Sequence, residues 1–406
     1  MEDFHEDIQS NILSRVPDES VLHCKLICLG ILFAISDPGE IQLFYTNYDA
    51  IKSTKHKKDF YRKRITRINL PRIESDRDEQ QVIVGSCNGL VCLSTPHKRG
   101  SFYDPVYICN PFTSEYTLLP KIRNNEHWGT WDVLSGFGYL PSTNEYKVVR
   151  ILYCADKSKG QVQVYTLGSR NGWRNVTETK HAFVYSVGVL ANESLYWIDE
   201  NNNKIIAFDL KDEIFRELPP PPCIQSPRNP VSKKKNPHVD DTTFWLTMLG
   251  GYMCLVDESD YDCIDIWSFR KNKHQANKSS YDVIEQDCYC DCSWSKDFSI
   301  DWGKKGRRGD EQPFALTKNN EISIWHESNL KRYDLVTKCF TVILDRGSLS
   351  WSTFKGTPHM NTLVSLEDLG EEPKRAPKNT PPISRKRKRS IYRGFGLQLN
   401  KLHFNF

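Results

Sequence analysis

The sequence predicts an α+β chain that is mainly β: a short helical N-terminal module, a large domain of repeated hairpins, and a disordered basic tail. Three observations lead there. Aromatic residues make up 12% of the 406, an excess that favours strands. Residues 7–16 instead carry apolar side chains at helical spacing. From residue 82 onward, hairpin signals recur at intervals up to residue 346.

The boundaries follow from composition. We expect a helical module over 1–46, a linker over 47–81, the β domain over 82–370 and the tail over 371–406. The formal charge of +4 is unevenly placed, because residues 371–406 hold ten Lys/Arg against two Asp/Glu, a net +8 that leaves −4 for the rest. A mildly acidic body argues against nucleic acid as a partner. No run approaches the roughly 18–20 apolar residues of a membrane span, and the acidic start Glu2-Asp3 is unlike a secretory signal. An intracellular protein of nucleus or cytoplasm is expected, without a membrane partner. The 13 cysteines, odd in number and scattered, fit reduced thiols in that compartment.

In the N-terminal module Ile8, Ile12, Leu13 and Val16 share one helical face. Pro17 stops that helix and Asp18 is placed to cap the next, which carries Val21, Leu22, Leu26 and Ile27. Gly30 interrupts, a third apolar stretch runs from Ile31 to Ile35, and Ser36-Asp37-Pro38-Gly39 ends the unit. Three helices this short bury little surface alone, so the module is expected to need a partner or the rest of the chain.

In the β domain, Asn88-Gly89 between Val82–Cys87 and Leu90–Leu93 is a strong hairpin signal, since both turn residues tolerate positive φ. Downstream, an Asn or Asp closes one strand and an aromatic follows six residues later on the returning strand. Asn110 with Tyr116, Asp209 with Phe215 and Asp334 with Phe340 are three copies, and Leu140 with Tyr146 is a fourth without the acidic residue. Hairpins that bury one face only by stacking suit a propeller, with about six units at roughly 40–50 residues each. A two-sheet sandwich is the competing architecture.

These segments resemble a known family. Glu6-Asp7-Ile8, Ile12-Leu13-Ser14-Arg15-Val16-Pro17 and Leu22-His23-Cys24-Lys25-Leu26-Ile27-Cys28 are similar to a plant F-box. Gly85-Ser86-Cys87-Asn88-Gly89-Leu90, Cys109-Asn110-Pro111-Phe112, Gly136-Phe137-Gly138-Tyr139, Ser194-Leu195-Tyr196-Trp197 and Ile264-Asp265-Ile266-Trp267 resemble the F-box-associated, kelch-like β-propeller domain. The resemblance implies an adaptor face formed by Phe4, Ile8, Ile12, Leu13, Val16, Pro17, Leu22, Leu26 and Ile31. That face would dock on a Skp-type adaptor and, through it, on a cullin scaffold. The propeller would then capture a client protein for ubiquitination, through residues that the motifs do not reveal. Two departures leave a second reading open. Phe4-His5 stands where the family has Leu-Pro, and Leu29-Gly30-Ile31 where it has Lys-x-Trp. A degenerate F-box would make the chain a non-ligase interaction module.

No catalytic motif or cofactor signature is present, and none is expected. Cys288, Cys290 and Cys292 alternate, which on a strand puts them on one face about 7 Å apart, too far to converge on one metal ion. We read them as structural thiols. Pro219–Pro222 opens a polar loop that reaches Pro237. In the tail, Lys374-Arg375 and Arg385-Lys386-Arg387-Lys388-Arg389 flank a Pro-rich spacer, a pattern similar to a two-part nuclear import signal read by an import carrier.

Overall fold

A four-stranded sheet that is apolar on both faces needs a neighbour on each side, and a closed ring supplies two neighbours to every sheet. The chain adopts that solution. The computed structural model describes residues 29–37, 40–47, 65–68, 73–74, 83–94, 104–120, 132–153, 159–184, 186–225, 244–260, 262–271, 292–302, 311–317, 320–326, 329–344 and 353–375. All belong to one unit, residues 1–376; residues 377–406 cluster as a second unit outside the described residues.

The described residues form six sheets, the blades of a propeller. In chain order, β1 (Leu29–Asp37), β2 (Glu40–Asn47), β3 (Ile65–Arg67) and β4 (Ile73–Glu74) belong to blade 1. Blade 2 holds β5 (Ile83–Cys87), β6 (Leu90–Ser94), β7 (Pro105–Asn110) and β8 (Glu115–Leu118). Blade 3 holds β9 (Asp132–Leu140), β10 (Glu145–Tyr153), β11 (Gly160–Thr166) and β12 (Arg174–Thr179). Blade 4 holds β13 (Val189–Ala191), β14 (Ser194–Ile198), β15 (Ile205–Asp209) and β16 (Phe215–Glu217), followed by the one-turn helix α1 (Pro222–Gln225). Blade 5 holds β17 (Phe244–Leu249), β18 (Tyr252–Asp257), β19 (Cys263–Lys271) and β20 (Cys292–Asp301). Blade 6 holds β21 (Gln312–Leu316), β22 (Glu321–His326), β23 (Asn329–Asp334) and β24 (Phe340–Leu344). Then β25 (Thr353–Met360) returns to blade 1, and β26 (Lys374–Arg375) joins the outer edge of blade 2.

The innermost strands β25, β5, β9, β13, β17 and β21 touch in that cyclic order, and β21 returns to β25. This closure excludes the sandwich. Alternation of side chains fills the ring. In β10, Tyr146 and Val148 face blade 2, while Val149, Ile151 and Tyr153 face blade 4. Each of the six interfaces between blades has its own apolar cluster built this way.

The stretch Ile31–Ile35, expected as a third helix, is part of strand β1. The reason is the same two-sided burial. Ile31 and Phe33 pack towards blade 6, and Leu32 and Ala34 towards blade 2, so the strand reads as a continuous apolar run without a period. Gly30 is required beside it, because a Cβ there would overlap the Tyr45 ring and the Thr46 carbonyl. Within the stretch expected as linker, β3 and β4 both pair with β2.

The recurring Asn/Asp-to-aromatic spacing is one turn used three times. The side-chain oxygen of Asn110 accepts from the Phe112 and Thr113 amides, that of Asp209 from Lys211 and Asp212, and that of Asp334 from Val336 and Thr337. Ser114, Glu213 and Lys338 close these turns at φ of 59°, 58° and 56°. Each turn joins the third and fourth strands of a blade. Leu140 and Tyr146 flank a turn that joins first and second strands instead, closed by Asn144 at φ 56°. Asn88 and Gly89, at φ 42° and 87°, form the expected tight hairpin.

Polar ties fix neighbouring blades. Trp173 Nε1 donates to the Pro120 carbonyl at 2.9 Å, and Trp294 Nε1 to the Pro219 carbonyl at 2.7 Å. Lys147 donates to the Leu210 carbonyl at 2.6 Å and to Glu213 at 3.0 Å, and Arg174 also holds Glu213. Burial pushes the Glu213 carboxyl up, but hydrogen bonds from Arg174 and Lys147 outweigh it and hold the group below its usual range.

Candidate interaction faces and the C-terminal strap

Antiparallel four-stranded blades sort their connections onto two faces. First-to-second and third-to-fourth turns lie on one face, and the other connections lie opposite. The turn face carries Asn88-Gly89 and the Asn110, Asp209 and Asp334 turns. Leu29 pairs with Met360, so β1 begins on this same face.

From Met360 the chain crosses the turn face as a strap over blades 2 and 3. Asn110 anchors it by donating to the Thr362 and Val364 carbonyls at 3.0 and 2.7 Å. The turn residues Asp209 and Asp334 carry carboxylates with no N–H to donate, whereas this position needs a donor as well as an acceptor, which explains why it is an Asn. Gly89 makes room, since a Cβ there would overlap Thr362. Leu366 is fully buried in the cluster between blades 2 and 3, and its amide donates to Glu115 Oε2 at 3.3 Å. Glu371 accepts from the Gly168 amide at 2.8 Å, Tyr165 Oη at 3.1 Å and Thr117 Oγ1 at 3.2 Å. Burial and the Glu371 charge push the Tyr165 phenol up to about 12. The strap ends with Lys374 opposite Tyr116 and Arg375 opposite Glu115, where Arg375 Nη2 meets Glu115 Oε1 at 3.0 Å.

The opposite face brings together pairs that no sequence spacing announced. His181 Nδ1 is 2.8 Å from Asp199 Oδ2, with the imidazole stacked on Phe183 and tilted against Phe215. His326 Nε2 is 3.0 Å from Glu311 Oε1 and lies against the Trp302 ring. Near the axis, Ser86 Oγ is 2.9 Å from His359 Nδ1, a pairing that in a cleft would suggest a nucleophile and base. Here His359 is 1% exposed, on the innermost strand of blade 1, and serves as a tie between blades 1 and 2. Among the described residues no group of three or more His, Cys, Asp or Glu is placed to hold a metal. Cys292 begins β20 and packs on the cluster between blades 4 and 5, while Cys288 and Cys290 lie outside the described residues.

Burial pushes the His359 imidazole down from 6.5 to about 4, against a smaller opposing effect of Asn361. The folded protein holds it neutral, whereas the unfolded chain protonates it near its ordinary value. Its contribution is complete above pH 6.5 and is lost as pH falls towards 4, in total about 3 kcal/mol. Urea midpoints measured between pH 7 and 4 should therefore fall more steeply for the wild type than for His359→Gln. Parallel slopes would contradict this.

A family model described as an F-box associated beta propeller domain matches residues 31–287. The chain belongs to this family and is a plant-type F-box protein. The match begins inside β1, where blade 1 begins. Among curated proteins, this F-box protein is similar to F-box protein At3g07870 of Arabidopsis thaliana, 27% identical over 83% of this chain and 80% of that one. It is also similar to the putative F-box/kelch-repeat protein At1g13200, 28% identical over 62% of this chain and 60% of that one. F-box protein CPR1 of the same plant is 22% identical over 80% of this chain and 82% of that one.

The F-box-associated propeller accounts for some of the expected site residues. Ile31 is sealed at 0% exposure between blades 1 and 6, which removes it from any adaptor face. Phe4, Ile8, Ile12, Leu13, Val16, Pro17, Leu22 and Leu26 lie outside the described residues, as do Arg385–Arg389. Lys374 and Arg375, expected in a disordered tail, form β26. Sequence reasoning missed the strap itself, because its anchors at Asn110, Glu115 and Gly168 come from elements remote in the chain. Among the described residues, no helix is long and apolar enough to cross a membrane.

Proposed function

We propose that this F-box protein is the substrate-recognition subunit of an SCF-type ubiquitin ligase. The segment carrying Phe4, Ile8, Ile12, Leu13, Val16, Pro17, Leu22 and Leu26 docks on a Skp-type adaptor and so on a cullin scaffold. The propeller holds a client protein, and catalysis resides elsewhere in the complex. The rate gain for the client is one of effective concentration. What supports this reading is that the described strands of the family's propeller begin at Leu29, after the apolar-faced segment in the sequence. Leu29 and the strap both lie on the turn face, and we assign the client to the face opposite. The chain works inside the cell, and the basic tail directs it to the nucleus.

The test is retention of a purified Skp-type adaptor by the full-length chain at near-physiological salt. The wild type should bind, and Ile12→Asp with Leu13→Asp should weaken binding by about 100-fold, as expected for two central apolar contacts. Absence of adaptor binding by the wild type would sink the reading.

A second reading, a non-ligase interaction module, draws support from one structural fact. Ile31, at the position matched to the family's Trp anchor, is consumed by blade 1. On that reading the native chain binds no adaptor, and His5→Pro, which restores the rigid helix entry, creates binding.

A further inference from the structure

On the face opposite the strap, blade 6 carries three titratable groups in line. Glu311 directly precedes β21, His326 ends β22, and Lys331 lies on β23 opposite Ile324. The imidazole is in the middle. Its Nε2 lies 3.0 Å from Glu311 Oε1, and its Nδ1 lies 2.7 Å from Lys331 Nζ. Trp302, arriving from blade 5, stacks on this imidazole and on the Phe340 ring. Lys331 Nζ lies 6.0 Å from the centroid of that Phe340 ring.

The partners assign the protons. A carboxylate only accepts, so Nε2 carries the imidazole proton, and Nδ1 accepts from the Lys331 ammonium. The Glu311 side chain is 0% exposed, and a charge buried that deeply persists only when paired. Its partner cation is reached through an imidazole that is able to hold a second proton. Moving one proton from Nζ to Nδ1 converts ammonium, imidazole and carboxylate into amine, imidazolium and carboxylate. The net charge is unchanged, so burial does not oppose the shift by adding charge, and the imidazolium then sits directly against Glu311. An ammonium has no lone pair with which to attack, whereas the amine has one.

We propose that Lys331 is an activated acceptor amine, modified by small activated acyl groups of the thioester or acyl phosphate type. His326 takes its proton, and Glu311 steadies the imidazolium that results, the logic of a nucleophile, a base and an orienting acid in a row. Nζ attacks the acyl carbonyl carbon, an amide C–N bond forms, and the C–S or C–O bond breaks. The ammonium gives up two protons in all. The first goes to His326, which passes it to the departing thiolate or phosphate, and the second goes to solvent. Lys331 is partly exposed while Glu311 and His326 are buried, so an acyl donor meets the amine and the relay behind it stays shielded.

Timed acetylation of the full-length protein, read residue by residue by mass spectrometry, is the test. Acetyl phosphate and an acetyl thioester are the two acyl donors, and the exposed Lys338 of the same blade is the internal reference. In the folded wild type at neutral pH, Lys331 should react about tenfold faster than Lys338 with at least one acyl donor, while in urea the two should react alike. His326→Gln keeps an acceptor for Nζ and a donor for Glu311 but is unable to carry the proton. It should bring Lys331 down to the Lys338 rate or below, with the melting transition retained. Glu311→Gln should lower the Lys331 rate in the same way, and Glu311→Asp should restore most of it. If Lys331 reacts no faster than Lys338 in the folded wild type with either acyl donor, the proposal is overturned, and this comparison stands even where a variant fails to fold. Undiminished Lys331 reactivity in folded His326→Gln would overturn it as well, leaving the three groups as a tie within the blade.

Discussion

Trp197→Ala should cost the propeller about 3–5 kcal/mol, the largest loss of any single truncation we expect. Trp197 is fully buried on β14 and belongs to the cluster between blades 3 and 4. Its ring stacks on Phe183 with centroids 5.7 Å apart. Two glycines are shaped around it: a Cβ at Gly188 would overlap the ring, and one at Gly136 would crowd it at 3.2 Å. The backbone has thus been brought close to fit the indole, and collapse onto an alanine would require the ring of blades to shift. A cavity is the cheaper outcome, which places the cost at the upper part of the range. Urea unfolding checks it, and a loss below about 1.5 kcal/mol would show that the site can repack.

Asn110→Ala should cost roughly 2–4 kcal/mol, because four hydrogen bonds end on this one side chain and Asn110 is fully buried. The equivalent Asp209→Ala loses only two turn amides at a half-exposed site and should cost about 1 kcal/mol. Asn110→Asp distinguishes the two roles. It retains an acceptor for Phe112 and Thr113 but turns a donor towards the Thr362 and Val364 carbonyls into a second acceptor. Its loss should approach that of alanine. If Asn110→Asp were as stable as the wild type, the anchoring of the strap by this side chain would be refuted.

Residue type announced the local structure well and the assembly poorly. Asn88-Gly89 and the Asn110, Asp209 and Asp334 turns were legible because each is decided within a few residues, by positive φ or by an oxygen that reaches back to nearby amides. The propeller was legible only as a class, since ring closure is a property of all six sheets. Leu29–Asp37 was misread because a strand covered on both faces carries no period, and a run that follows a helical pattern borrows its label. The strap gave no warning, since Val364, Leu366 and Leu369 are set among polar residues and the anchors at Asn110, Glu115, Tyr165 and Gly168 lie far away in the chain. The histidine pairs were hidden for a similar reason. His181 and Asp199 meet across the seam between blades 3 and 4, and nothing in the intervening sequence demands it. Burial pushes the Cys92 and Cys109 thiols well above the usual thiol range and makes them poor nucleophiles.

Because β25 completes blade 1 from the inside, a strand made after β1–β24 is the one that β1 has been waiting for. Until the ribosome has released residues up to Met360, β1 and β2 have an open edge, and blade 6 faces no finished neighbour. The nascent chain is then an arc with two exposed ends. A message truncated before residue 353 yields a product that lacks the innermost strand of blade 1.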